Sequence, residues 1–411
     1  MKQEMLFPKG KFWANRKLLL FTSIFLMLLT TTCGDDGNVI SPGGRYEEYY
    51  GVPYKVTIKQ VPDNDVNINF GIIADTHVDA KTTNFNRWDE SKDDHNNSEK
   101  MHNNRSTIDD INIDCGNDGC LGAVHLGDMR NEKGATQQLV AFRQLYENGY
   151  PGYNGGAVKD SDDPHHDAYS LGYRIKFPVF PTLGNHDAVS EWSDPNRAAD
   201  YLDDRIHGAQ GLLANHGKGT YIWRWGRYVF IQLNFWAGSS ERESVSDIIY
   251  DKLRWLDKWL KEHVGDRDLG ILIFHHYGWD RFSTQDADWW SQFQRNLELD
   301  VLCRRGSFDD GYTPYDPSKE DCPPCNNYNV VGIFTGHAHS LDFIQVYAGH
   351  GIRGNEVNFD NISIPSAGVD QNNQIGFSIA YLNSTTLKIC TKNRKYNTWH
   401  EWEKALYIRN P

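Results

Sequence analysis

Five short Asp- and His-rich fragments, each directly behind an apolar run, constrain this chain more than any other feature. They are Asp75-Thr76-His77, Gly127-Asp128, Gly184-Asn185-His186-Asp187, His275-His276 and Gly336-His337-Ala338-His339. The runs before them are Ile72-Ile73-Ala74, Ala123-Val124-His125-Leu126, Val179-Phe180-Pro181-Thr182-Leu183, Ile271-Leu272-Ile273-Phe274 and Val331-Gly332-Ile333-Phe334. Strands covered on both faces are near-continuously apolar, so these runs read as buried strands. In an open α/β sheet the polar residues that follow such strands gather at the carboxyl ends, which is where that architecture builds its sites.

His and Asp together are ligands for borderline divalent metals such as Mn, Fe, Zn or Ni. D-x-H and H-x-H at a strand end put two ligands on one side, since residues i and i+2 share a face. One cation takes only part of the set, so the surplus implies two divalent ions. The carboxylate of Asp128 has two oxygens and is the candidate bridge. Two metals about 3.5–4 Å apart form a clamp suited to in-line displacement at phosphorus.

The ordered set D-x-H, G-D, G-N-H-D, H and G-H-x-H resembles the calcineurin-like metallophosphoesterase family over about Asn67 to His339. The resemblance implies an α/β fold, a four-layer αββα sandwich with a dimetal site at the strand ends. It implies hydrolysis of a phosphate mono- or diester by attack of a metal-bound hydroxide. By the family pattern one metal is held by Asp75, His77, Asp128 and His339, and the other by Asp128, Asn185, His275 and His337. His186 then faces substrate as the general acid. Of the adjacent pair, His275 comes first after its strand and is expected as the ligand, leaving His276 to line the substrate pocket. Asp187 is expected to cap the following turn or to orient His186. The chain reads Gly127-Asp128-Met129-Arg130-Asn131 where protein serine/threonine phosphatases carry G-D-x-x-D-R-G. That departure argues against a protein phosphatase, and Arg130 reads as a surface residue.

The first 33 residues have a different character. Lys2, Lys9, Lys11, Arg16 and Lys17 precede the apolar run Leu18–Leu29, which is shorter than the roughly 20 residues that span a bilayer. Leu29-Thr30-Thr31-Thr32-Cys33 follows and looks like a lipoprotein signal with Cys33 as the lipidated residue; an ordinary secretory signal is the alternative. Residues 34–53 read as a flexible tether. Residues 54–411 then form the phosphoesterase domain, with polar insertions near 81–119, 149–173 and 304–328. The protein is expected to be exported, as a membrane-tethered lipoprotein or secreted. Its net charge of −13, more negative still without the basic start, disfavours nucleic acid as a partner. A small phosphoester is the expected partner, and a membrane only through the lipid.

Seven cysteines are present. With Cys33 lipidated, six remain, an even number suited to disulfides in an oxidising compartment. Cys115 and Cys120 bracket a tight turn that a local bridge can close. Cys303 is within sequence reach of Cys322 or Cys325, although Cys322-Pro-Pro-Cys325 also has the spacing of a redox or zinc motif. His125 reads as a structural core residue, His165-His166 as a solvated loop, and Trp223, Trp225, Trp289 and Trp290 as core or pocket wall. Helices are expected at 98–111, 135–148, from Asp194 to about Arg205, 244–264 and 285–302, and an edge strand at 54–58. A non-catalytic binding module on the same fold is the alternative, motivated by the insertions. Every ligand position is filled, which favours the enzyme.

Overall fold

The computed structural model describes residues 55–79, 98–131, 136–147, 175–187, 197–234, 242–265, 267–277, 298, 300–304, 328–350, 356–370 and 373–406. The expected signal segment at 1–33 with Cys33, the expected tether, the insertion at 149–173, almost all of that at 304–328, His165-His166, Trp289-Trp290 and Cys322/Cys325 lie outside these residues. So does most of the helix expected at 285–302.

The apolar runs form strands in two sheets. The first has the order β13-β12-β11-β1-β2-β3 and the second β4-β5-β6-β7-β8-β10-β9. In the first, β1 (Ile68–Ile73), β2 (Ala123–His125) and β3 (Val179–Pro181) run parallel. Beside them lie the antiparallel β11 (Gly376–Leu382), β12 (Thr386–Asn393) and β13 (Thr398–Ala405). The second holds β4 (Leu212–Gly217), β5 (Thr220–Trp225), β6 (Tyr228–Gln232), β7 (Gly270–His275), β8 (Val330–Thr335), β9 (Asp342–His350) and β10 (Glu356–Ser363). Its centre, β6-β7-β8-β10, is parallel. Parallel strands need both faces covered, which explains their unbroken apolar sequence.

The cover on one side is mutual. Phe70, Ile72, Val124 and Phe180 of the first sheet meet Trp223, Phe230, Phe274 and Phe334 of the second in one buried cluster. Phe70 contacts Phe230 edge-on at 5.1 Å, and Phe230 stacks on Phe274 at 5.8 Å. Aromatic pairs of this kind add about 0.5–1.5 kcal/mol each beyond their burial. On the outer face of the first sheet lie α1 (Ser98–Asp118), α2 (Thr136–Tyr146) and α3 (Arg197–Ile206), through Ile111, Phe142 and Leu202 among others. On the outer face of the second lies α4 (Arg242–His263), through Leu253, Leu256, Trp259 and Leu260. The result is the expected αββα layering, a mixed α/β fold.

Three local expectations are corrected. The short helix expected at 98–111 in the polar insertion 81–119 is longer: it runs from Ser98 to Asp118 as the 21-residue helix α1. It packs so closely on β1 that a Cβ on Gly71 would lie 2.9 Å from Ile111 Cδ1. Of the edge strand expected at 54–58, the described residues 55–58 form no strand: Val56 and Ile58 are buried as the alternation implies, but strand pairing is confined to a bridge from Thr57 to Gln210. β4 and β13 were not anticipated. β13 is an edge strand whose Glu401, Glu403 and Lys404 hide the strand signal while guarding an open edge. The Cys115–Cys120 disulfide forms as the turn between them implies.

Phe230→Ala should remove about 3–5 kcal/mol of stability, since it empties the centre of the inter-sheet cluster. A urea titration followed by Trp fluorescence checks this through a lowered midpoint.

Candidate metal centre

All five fragments arrive at one rim of the sandwich. The backbone turns there in an unusual way: Asp75, His77, Asp128, His337 and His339 have φ of 50°, 42°, 54°, 62° and 53°. L-residues adopt this left-handed region at a cost of about 1–3 kcal/mol each, and such residues concentrate at functional sites. The ligand pairs D-x-H and H-x-H therefore converge through these turns rather than through strand pleat. The loops hold one another: Asp75 N–H donates to Gly127 O at 3.2 Å and His77 N–H to Asp128 O at 2.9 Å. His337 N–H donates to both carboxylate oxygens of Asp75, at 3.0 and 2.9 Å. The fragment glycines make the room. A Cβ on Gly184 would lie 2.2 Å from Asp128 Oδ1, and one on Gly336 2.8 Å from Asp75 Oδ2.

Two donor groups result. Asp75, His77, Asp128 and His339 each offer an atom, all within 4.8 Å of one another, and Asp128, His276 and His337 do the same. Asp128 belongs to both. In the first group His77 Nε2 lies 3.0 Å from His339 Nε2 and 3.5 Å from Asp128 Oδ2. In the second, Asn185 Oδ1 lies 3.0 Å from His276 Nε2 and 3.1 Å from His337 Nδ1, while His276 Nε2 lies 3.4 Å from Asp128 Oδ2.

The charges fit divalent cations. Burial alone would raise the carboxyls of Asp75 and Asp128. The imidazoles of His339 and His276 around Asp75, and of His276 and His77 around Asp128, outweigh it and hold both below the usual carboxylate range. Burial pushes His77 and His337 down to about 4, so both are neutral near pH 7 and present lone pairs. Burial also acts on His276, but Asp128 and Asp75 overcome it and lift that imidazole to about 9. Two buried carboxylates thus draw positive charge into this spot. Two imidazole nitrogens 3.0 Å apart can share one proton at most, whereas a cation uses both lone pairs. The residues present fit a pair of divalent ions.

The expectation that His275 is the ligand is corrected. His275 Nε2 lies 3.3 Å from Glu298 Oε1, and His275 belongs to neither donor group. The reason is strand parity. Ile271 and Ile273 of β7 face α4, while Leu272 and Phe274 face the other sheet. His275 continues the first series and His276 the second. Counting along the strand therefore selects His276, which is buried with Nδ1 2.8 Å from Leu126 O. Arg130 is corrected too: it is 1% exposed, and its guanidinium donates to Asp187 O at 2.6 Å.

Asp187 lies behind the site, where its carboxylate accepts from the N–H groups of Gly184 and Met129 at 3.0 Å and of Arg130 at 3.2 Å. It ties the Gly184 turn to the Asp128 loop, a broader role than a local cap. His125 is the structural residue expected, bonded to Thr76 Oγ1 at 3.2 Å and accepting from Gly127 N–H at 3.2 Å. His186 is half-buried and outside both donor groups. Its ring lies 4.6 Å from that of His77, its N–H donates to Asp128 Oδ1 at 2.7 Å, and its Nδ1 is 2.5 Å from Asn131 O.

No family model and no curated protein matches the sequence. Among solved structures the chain is similar to a dimetal phosphatase from Danio rerio, at 15% identity and a TM-score of 0.48, over 83% of this chain and 100% of that one. It is also similar to PhoD, at 9% identity and a TM-score of 0.49, over 84% of this chain and 71% of that one. A purple acid phosphatase from yellow lupin (Lupinus luteus) seeds matches at 12% identity and a TM-score of 0.42, over 86% of this chain and 55% of that one.

His276→Asn should reduce the bound divalent metal of the full chain by at least one ion. His275→Gln should leave the metal content unchanged. Elemental analysis of the two purified variants beside the parent checks both.

Proposed function

We propose that this chain is an exported dimetal phosphoesterase acting on a small phosphate mono- or diester. One observation carries the reading: two buried donor groups share Asp128 and sit beside His186, an imidazole that belongs to neither. Divalent ions bound there, of the Mn, Fe, Zn or Ni kind, supply Lewis acidity toward phosphoryl oxygens and lower the pKa of water.

The chain's own contribution is orientation. Asp75 and Asp128 provide fixed negative charge, Asn185 a neutral oxygen, and His77, His276, His337 and His339 four ring nitrogens as donors. His186 stands next to this set with Nδ1 engaged by a carbonyl, and its other nitrogen serves the leaving oxygen as general acid. The ligand-bearing loops are braced by backbone bonds within each sheet and by the His337 N–H to Asp75 carboxylate bonds between them, so little reorganisation accompanies the reaction. The strongly acidic balance of the chain supports a small ester rather than nucleic acid as substrate.

Purified protein reconstituted with Mn or Zn should hydrolyse p-nitrophenyl phosphate or bis(p-nitrophenyl) phosphate, and the preferred probe distinguishes monoesterase from diesterase. Asp128→Asn should lower that rate by about 100-fold or more, the scale of losing one charge-stabilising group. Failure of the parent chain to bind divalent metal would overturn the reading.

Export and lipid tethering rest on the basic start, the Leu18–Leu29 run and Cys33. In bacterial cells the full chain should fractionate with membranes and incorporate labelled fatty acid, and Cys33→Ala should abolish the label. Retention of the protein in the cytoplasm would reject export.

A further inference from the structure

His186 is held by a main-chain oxygen, not by a carboxylate. A carbonyl only accepts, so the 2.5 Å contact to Asn131 O places a proton on Nδ1 and leaves Nε2 as the ring nitrogen available to substrate. The direction of that carbonyl therefore decides where the ring points. A carbonyl, unlike a side chain, is aimed only by whatever fixes its residue.

Asn131 is held at its N–H and at its side chain, two of the substituents of its Cα, which sets the direction of the bond to its carbonyl carbon. Its N–H donates to Gln138 Oε1 at 2.9 Å and to Val78 O at 3.2 Å. Its side-chain oxygen accepts from Lys100 Nζ. Gln138 is 2% exposed, and its own amide donates to Asp79 Oδ1 at 3.2 Å, which sets which end of the amide faces Asn131. Gln138 belongs to α2 and Lys100 to α1, two helices with no member of either donor group among the described residues.

We infer that Gln138 and Lys100 are positioning residues for His186: by fixing Asn131 they hold the ring with Nδ1–H donated to the carbonyl, so that the proton passed to the leaving oxygen is the one the imidazolium carries on Nε2. The inference rests on the phosphoesterase reading for its chemistry. Its structural half, the Nδ1–H bond to Asn131 and the ring orientation it sets, stands independently of that reading. Neither residue touches a donor group, so metal binding should survive their replacement.

The test uses the full chain loaded with Zn, in four forms: parent, Gln138→Ala, His186→Ala and the double variant. Two monoesters are compared, p-nitrophenyl phosphate, whose leaving group departs without a proton, and an alkyl phosphate, whose leaving group needs one. Gln138→Ala should cost about 10- to 100-fold in kcat on the alkyl ester, the range set by a displaced general acid, and less than about 3-fold on the aryl ester. In the His186→Ala background it should cost nothing further on the alkyl ester. Lys100→Ala should show the same pattern, and metal content should match the parent throughout.

Equal losses on both esters, or additive losses with His186→Ala, would overturn the inference, because a merely structural role behaves that way. Nitrogen NMR of histidine-labelled protein, with His186 assigned by its loss in His186→Ala, gives a readout independent of turnover. A protonated Nδ1 in the parent and a changed signal in Gln138→Ala support the inference. A proton on Nε2 alone in the parent overturns it. Absence of turnover of either ester by the metal-loaded parent would count against the phosphoesterase reading, and the NMR result would still decide the positioning of His186.

Discussion

Two carboxylates, Asp75 and Asp128, are fully buried where the two sheets meet, and their charge governs what surrounds them. An unpaired buried carboxylate costs several kcal/mol, so the protein must bring positive charge or donors to each. It does so from both sheets at once: His77 from the first, His276, His337 and His339 from the second, and main-chain N–H groups from His337 and His186. The site is therefore also the joint between the sheets at that rim. The aromatic cluster beneath it sets the spacing of the layers, and the acid–imidazole contacts above it depend on that spacing to within fractions of an ångström.

Helix α1 shows a different way of supporting a site. Its inward stripe runs Lys100, Asn103, Asn104, Thr107, Ile108, Ile111, Cys115 at helical spacing. The apolar half covers β1, and the polar half grips the loops. Asn104 donates to Thr76 O at 2.7 Å, between Asp75 and His77, and accepts from Tyr146 OH of α2 at 2.6 Å. Thr107 Oγ1 donates to Ala367 O at 3.2 Å and Asn103 Nδ2 to Gly368 O at 3.2 Å. Loop carbonyls that no ladder reaches are satisfied in this way.

The same helix shows one limit of what the sequence discloses. The parallel strands were legible because burial on two faces leaves only apolar residues, and the Asp/His fragments were legible because few other chemistries use that set. α1 runs past the end expected at 111 to Asp118, because Asp114, Gly116, Asn117 and Asp118 are residues typical of turns. β13 was missed because its exposed residues are charged. His275 was preferred to His276 on analogy, although the alternation of Ile271 to Phe274 carried the answer. Asp187 and Arg130 could not be paired from sequence, because they lie on different fragments and meet largely through main-chain groups.

The left-handed turns at Asp75, His77, Asp128, His337 and His339 have a consequence for how this protein could change over time. Glycine, and to a lesser degree asparagine, would relax each of these turns, whereas the Asp and His side chains hold them at a cost in stability. Random drift released from any requirement for the site would thus run downhill toward its erasure, one relaxed turn at a time. A sequence that keeps Asp or His at all five turns stands on the uphill side of that gradient.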